Sequence, residues 1–148
     1  MLTEAVETTY IHFNRAKDNW LEIKEFPLDL TLYNDKEKIK TIDAFIFRFI
    51  KLQDFMGEKL FKEILKSIAE YKDNMSLIDV LDKLEKLEII ESASKWIEYR
   101  AVRNKLTHEY STNQNEMIEG ISLAVVYFAE IEKMLKKIND YLEFKQRL

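Results

Sequence analysis

The 148-residue chain contains no cysteine, one proline, two glycines and two histidines. The lack of cysteine excludes disulfides and thiol chemistry, and two histidines cannot supply a structural zinc site, whose ligands are mostly cysteine and histidine. A chain so poor in glycine and proline also lacks the turn residues that sheet proteins need in number. The composition therefore excludes an all-β fold, and it predicts neither a metal nor another cofactor.

Long hydrophobic runs are also scarce. The longest apolar stretch without a charge runs from Gly120 to Ala129, well short of the roughly 20 residues that span a bilayer. The N-terminal sequence MLTEAVETTY is polar and acidic, whereas a signal peptide is basic and then apolar. We therefore expect a soluble, cytoplasmic protein with no membrane association.

The residues that are abundant favour helices, and their spacing predicts five of them. A chain of this length is sufficient for one domain with its own core, which we expect to span residues 1–148. Short connections favour antiparallel neighbours. The predicted fold is all-α, an up-and-down four-helix bundle with an additional short helix, and the predicted helices span about 3–25, 36–71, 76–87, 92–106 and 114–144.

Polar residues mark where these helices begin. Asn34 and Asp35 form a capping pair before the second helix, and Ser76 with Asp79 resembles a capping box. Asn113 is the predicted cap of the last helix, with Glu116 three residues later. Gly57 is expected to bend the second helix.

Arg103 is the residue that this pattern explains least. It falls on the same helical stripe as Trp96, Tyr99 and Leu106, where a charge costs desolvation unless it is paired or faces a groove. One interpretation is structural: Arg103 extends from the bundle edge or pairs with a carboxylate such as Asp54 or Glu58. The other is that its guanidinium serves a ligand.

His108 lies five residues after Arg103, and on its own it reads as a residue compatible with a helix C-terminus. On one continuous helix the two residues would lie about 140° apart. We therefore predict that the helix breaks near Thr107, so that His108 turns back toward Arg103. A guanidinium and an imidazole that converge suit a phosphodiester, because arginine stabilises phosphate charge and histidine transfers protons near neutral pH.

A local basic patch supports this interpretation. Lys95, Arg100, Arg103 and Lys105 stand against Glu98 alone, in a chain whose net charge is −4. Attraction of phosphate is therefore expected only from this patch. Most aromatic residues fall on helical stripes and are expected in the core, whereas Tyr99 and Tyr110 remain candidates for contact with a base or a partner.

The segment RAVRNKLTHEY, residues 100–110, resembles a known motif. Arg103, His108 and Tyr110 match the Arg-x4-His-x-Tyr signature of HEPN-domain proteins, and the segment is most similar to the HepT toxins of HEPN/MNT toxin–antitoxin pairs. The segment FRFIKLQDFMGEKLFKEI is also similar to the second helix of related nucleotidyltransferase substrate-binding proteins. The resemblance therefore implies a HEPN-like bundle.

The resemblance also implies a function: a metal-independent endoribonuclease that acts on RNA, such as tRNA or mRNA, as a homodimer. Arg103 and His108 would be catalytic, with the ribose 2′-OH attacking the adjacent phosphate to leave a 2′,3′-cyclic phosphate. Asn104 and Asp54 would be supporting residues, and Lys95, Arg100 and Lys105 would form the RNA phosphate patch. Tyr110 would accept AMP from the partner antitoxin, a minimal nucleotidyltransferase (MNT).

A second class of function fits the same residues. The chain could instead be a non-catalytic nucleotide- or substrate-binding subunit of a nucleotidyltransferase, with Arg103 and His108 contacting nucleotide phosphate. Tyr110 favours the toxin, because simple nucleotide binding gives this tyrosine no role. A helical bundle unrelated to either class is the third alternative.

Overall fold

A computed structural model describes residues 1–108 and 113–147 of the chain. All the regular structure in these residues is helical, which confirms the predicted all-α class. None of the helices in these two ranges has the length and apolar character needed to cross a membrane. The helices are α1 (Leu2–Ile23), α2 (Lys36–Phe55), α3 (Phe61–Ser67), α4 (Leu77–Lys86), α5 (Ala93–His108) and α6 (Gln114–Gln146).

The predicted helix over residues 36–71 is shorter than expected and is divided by a π-helical turn. The turn, Met56–Leu60, links α2 directly to α3 and contains Gly57 at the position where a bend was expected. The helix ends at Ser67 because Ala69 adopts a left-handed conformation with φ 58°. The amide of Glu70 then donates to the Leu65 carbonyl at 2.8 Å, a Schellman ending made without glycine.

The predicted helix starts are confirmed. Asp35 caps α2 by accepting hydrogen bonds from the amides of Glu37 and Lys38. Ser76 and Asp79 form a complete capping box at α4. Asn113 caps α6 by accepting from the Glu116 amide. The connection between α1 and α2 adds one short 3₁₀ helix, Leu30–Asn34, whose first amides Asp29 caps.

The core forms where the apolar stripes of the helices meet. Phe128 of α6 stacks on Phe13 of α1, with ring centroids 5.1 Å apart, and meets Phe45 of α2 edge to face at 5.8 Å. These three rings are almost fully buried, and each contributes on the order of 2 kcal/mol of hydrophobic stabilisation. The aromatic stripes therefore serve packing, as their spacing predicted.

Helix α5, which carries the candidate motif, packs on both α2 and α6. Leu106 lies against Gly120 of α6, where an added Cβ would approach Leu106 Cδ2 to 3.0 Å. Trp96 is fully buried, and Phe61 meets its ring edge to face at 4.9 Å. These contacts fix α5 along its length and hold its remaining face toward solvent.

Candidate functional site

Arg103 and Asp54 form a two-point ion pair between α5 and α2. Arg103 Nε donates to Asp54 Oδ1 at 3.2 Å, and Nη2 donates to Oδ2 at 2.9 Å. The side chains keep 21% and 31% of their exposure, so the pair lies at the edge of the protein. The structure thus brings together the arginine and the acidic residue that the sequence singled out, and it agrees with the structural interpretation that Arg103 pairs with a carboxylate.

Asn104 joins the same cluster. Arg103 Nη1 donates to Asn104 Oδ1 at 3.3 Å, so three nitrogens of the guanidinium each make one bond. One N–H on each of the two terminal nitrogens has no protein partner among the described residues. Because the pair is partly exposed at the protein edge, these N–H groups can reach an oxygen of an anionic ligand.

Gln53 fixes the position of α5 relative to α2, a role that the sequence pattern did not predict. Its side chain is fully buried, and its Nε2 donates to the Tyr99 carbonyl at 3.0 Å. Tyr99 lies one helical turn before Arg103, so this bond holds the backbone that carries the guanidinium. The sequence did contain one indication of this role: Gln53 is a polar residue four positions after Phe49, on the apolar stripe of α2.

The predicted break between Arg103 and His108 is wrong. Helix α5 continues through His108, so the two residues lie about 140° apart around the helix and about 7.5 Å apart along it. The Thr107 hydroxyl donates to the Arg103 carbonyl at 3.0 Å, one turn back, so this polar group is satisfied within the continuing helix. Burial of Leu106 stabilises the same turn.

His108 is therefore exposed on a face of α5 that does not converge with Arg103. Within the part of the chain that the structure describes, its ring has no hydrogen-bond partner. Tyr110 lies outside the described residues, and its role stays a prediction. A single copy of the chain thus presents the arginine and the histidine on different sides of one helix.

The predicted basic patch divides into two unlike parts. Lys95 bonds Glu98 at 3.2 Å and approaches Glu130 of α6 at 3.8 Å; the hydrogen bond to Glu98, followed by the charge of Glu130, raises the pKa of Lys95. Its charge is therefore balanced locally, contrary to the expectation of a free cation. Arg100 and Lys105 have no ion pair within residues 1–108 and 113–147, so they remain available to a ligand.

Tyr99 is a structural residue rather than a surface contact, which corrects the expectation from the sequence. It is 3% exposed, and its hydroxyl donates to Glu130 Oε1 at 2.9 Å. Burial, together with this hydrogen bond and the charge of Glu130, raises the pKa of the phenol well above its ordinary value. The neutral Tyr99 therefore links α5 to α6.

Comparison of the chain with protein-family models, curated proteins and solved structures finds no match. In the described ranges, no three histidine or acidic side chains are grouped so as to hold a metal ion. What the local arrangement offers chemically is a guanidinium held rigidly by a carboxylate, with two open N–H groups at the protein surface. Such a group can bind a phosphate and stabilise charge that develops on it.

Proposed function

We propose that this protein is a metal-independent endoribonuclease toxin of the HepT type, with the HEPN-like architecture of an up-and-down four-helix bundle and one additional short helix. The proposed location is the cytoplasm. The observation that carries the proposal is the Arg103–Asp54–Asn104 cluster, which holds the motif arginine at the surface with two unpaired N–H groups. The motif RNKLTHEY supplies the link to RNA cleavage.

In the proposed reaction, His108 takes the proton from a ribose 2′-OH, and the 2′ oxygen forms a bond to the adjacent phosphorus. The bond from phosphorus to the 5′ oxygen of the next nucleotide breaks, and that oxygen takes a proton from solvent. The products are a 2′,3′-cyclic phosphate and a 5′-OH. Arg103 donates to the phosphate oxygens, whose charge is most concentrated in the transition state, while Asp54 and Asn104 hold its guanidinium in place.

The geometry of α5 supports a site shared between two copies of the chain. Arg103 and His108 of one helix point about 140° apart, so one small phosphate cannot contact both. We propose a homodimer in which the arginine of one copy and the histidine of the other face the same phosphate. Such sites are common where a two-fold axis pairs identical surfaces.

The proposed control is a cognate MNT antitoxin that transfers AMP to Tyr110, binds the toxin, or does both. An AMP group two residues from His108 would add negative charge and bulk beside the site. Arg100 and Lys105 are the proposed phosphate contacts that such an adduct would compete for.

The test is cleavage of total RNA and purified tRNA in EDTA, with end-group analysis of the products. We expect cyclic-phosphate ends from the wild type, and rates lowered about 100- to 1,000-fold by Arg103→Ala or His108→Ala. Lys136→Ala, at an exposed position of α6, and Arg147→Ala, at the exposed residue that follows α6, are matched controls that should cleave normally. The mass of the wild-type protein is first checked for an adduct on Tyr110. If the unmodified protein leaves the RNA intact, the proposal is overturned.

Mixing the two inactive variants tests the shared site. If Arg103 and His108 act across the dimer, an equal mixture of Arg103→Ala and His108→Ala chains should recover about a quarter of wild-type activity, since half of random dimers are mixed and each holds one complete site. No recovery after subunit exchange would show that both residues must come from the same chain.

The second candidate is a non-catalytic nucleotide-binding subunit of a nucleotidyltransferase. The separation of His108 from Arg103 within one copy favours this alternative, because binding a nucleotide phosphate requires only the guanidinium. Intact RNA together with ATP binding that Arg103→Ala abolishes and Arg147→Ala preserves would support it over the toxin.

A further inference from the structure

A second cluster of cations lies on the face shared by α1 and α2. Arg15 of α1 and Arg48 and Lys51 of α2 surround His12 closely enough for all three charges to act on its imidazole. None of the three cations has an ion pair among the residues described, although several other lysines do, including Lys17, which bonds Glu132 at 2.6 Å. In a chain of net charge −4, this is a local excess of positive charge.

Phe47 presents an aromatic ring beside two of these cations, Arg48 and Lys51. Its side chain is 52% exposed, so one face of the ring is open to a ligand. Arg48 Cζ lies 5.3 Å and Lys51 Nζ 5.5 Å from the ring centroid. The two cations therefore border the ring, an arrangement of charge beside a flat stacking surface that nucleic-acid-binding grooves use.

His12 gives independent evidence of an unsatisfied polar group beside these cations. Its ring packs on Phe55 with centroids 5.6 Å apart, and its Nδ1 is buried with no hydrogen-bond partner. Burial, and then the charges of Arg15, Arg48 and Lys51, lower the pKa of the imidazole. The three cations thus disfavour a further positive charge on His12.

We infer that Arg15, Arg48, Lys51 and Phe47 form a second binding site for single-stranded RNA, with a backbone phosphate between the cations and a base stacked on Phe47. The choice of RNA rests on the proposed function. Position supports it, because Lys51 and Asp54 are three residues apart on α2 and so share a face of that helix. A strand bound at this second site would therefore extend toward Arg103.

The test is binding of a fluorescent twelve-nucleotide oligoadenylate, followed by fluorescence anisotropy in the His108→Ala background so that the RNA survives. The triple variant Arg15→Gln, Arg48→Gln and Lys51→Gln should raise the Kd at least tenfold at low salt and flatten its salt dependence. The matched control is Lys86→Gln, Lys133→Gln and Lys136→Gln, which removes the same total charge from other surfaces. It should change the Kd less than about threefold.

Phe47→Ala tests the stacking contact separately. Because Phe47 is half exposed, its replacement should leave the fold intact, which circular dichroism checks. We expect about tenfold weaker binding of oligoadenylate and unchanged binding of an abasic ribose-phosphate strand of equal length. Equal losses for both strands would contradict stacking.

Several outcomes would overturn the inference. These are no RNA binding by the parent protein, equal losses for the two triple variants, or binding to vesicles of anionic lipid with none to RNA. The result is distinguishable from failure of the proposed function, since RNA binding that depends on this cluster can stand without cleavage. Conversely, the wild type could cleave RNA while the first triple variant binds RNA as tightly as its parent. That result would support the proposed toxin function and contradict this second binding site.

Discussion

The two halves of α5 both carry polar and charged side chains, but they use them differently. In the first half, Lys95 and Tyr99 both reach Glu130 of α6, so the charges there are balanced within the fold. In the second half, Arg103 binds Asp54 at the protein edge, and Lys105 has no ion pair among the described residues. The first half of α5 thus anchors the helix to α6, whereas the second half keeps cationic groups that the described residues pair only in part.

The largest expected effect tests the anchoring half. Trp96→Ala should lower the free energy of unfolding by about 3–5 kcal/mol, because it removes a fully buried indole and leaves a cavity. Urea denaturation followed by circular dichroism measures this. Ile97→Ala, the next residue and 43% exposed, is the control and should cost less than about 1 kcal/mol. Similar losses of unfolding free energy for Trp96→Ala and Ile97→Ala would contradict the conclusion that buried contacts in the first half anchor α5.

Gln53 tests whether the two halves are joined through α2. Gln53→Ala should cost about 2–3 kcal/mol, since it removes both buried volume and the bond to the Tyr99 carbonyl. Gln53→Met keeps most of the volume but loses the hydrogen bond, and it should cost about 1 kcal/mol. The difference in cost between the Ala and Met variants therefore measures the contribution of packing. Faster amide exchange in residues 99–103 is expected in both variants. Unchanged exchange would show that Gln53 does not hold this turn.

Tyr99→Phe should cost about 1 kcal/mol, because it removes the hydrogen bond to Glu130. The raised pKa of Tyr99 adds a pH dependence. Above pH 10.0, the ordinary value, the phenol ionises in the unfolded chain but keeps its proton in the folded one, so stability falls as the pH rises. The urea midpoint should fall between pH 9 and pH 10.5, and it should fall less in Tyr99→Phe than in the wild type. Parallel falls would contradict the assigned bond.

The smallest expected effect concerns the second half of α5. Arg103→Ala and Asp54→Ala should each change the free energy of unfolding by less than about 1 kcal/mol, because the pair is partly exposed and screened by solvent. Both variants should nevertheless impair the proposed RNA cleavage. A double-mutant cycle measures the coupling; a coupling of several kcal/mol would make the pair a structural anchor like Glu130.

Helix starts and apolar stripes were predictable because they depend on local chemistry. Asp35, Ser76 and Asn113 each satisfy amides within three residues, and such caps can be recognised in a sequence. The helix ends were less predictable. Ala69 and Glu88 both take left-handed conformations, with φ of 58° and 61°, which glycine normally signals. Local hydrogen bonds close both endings, from the Glu70 amide to the Leu65 carbonyl and from the Ile89 amide to the Leu84 carbonyl. Without glycine at these positions, composition does not reveal them.

The candidate site was predictable in part. The mismatch of Arg103 with its stripe identified the arginine, and Asp54 followed as one of the carboxylates able to meet it. The continuation of α5 through His108 was not predictable, because Thr107 forms its hydrogen bond inside the helix instead of breaking it. Local polarity favoured a break, and the buried contacts of Leu106 favoured continuation.

The sequence alone determined the all-α class, the helix starts, most of the core and the position of Arg103 on an otherwise apolar stripe, because each follows from periodicity and short-range hydrogen bonding. The tertiary structure decided which carboxylate Arg103 meets, that Glu130 balances Lys95, that Tyr99 is buried, and that Arg15, Arg48 and Lys51 gather around His12. The reason is physical: these contacts join residues on different helices, and their distances depend on how the helices pack.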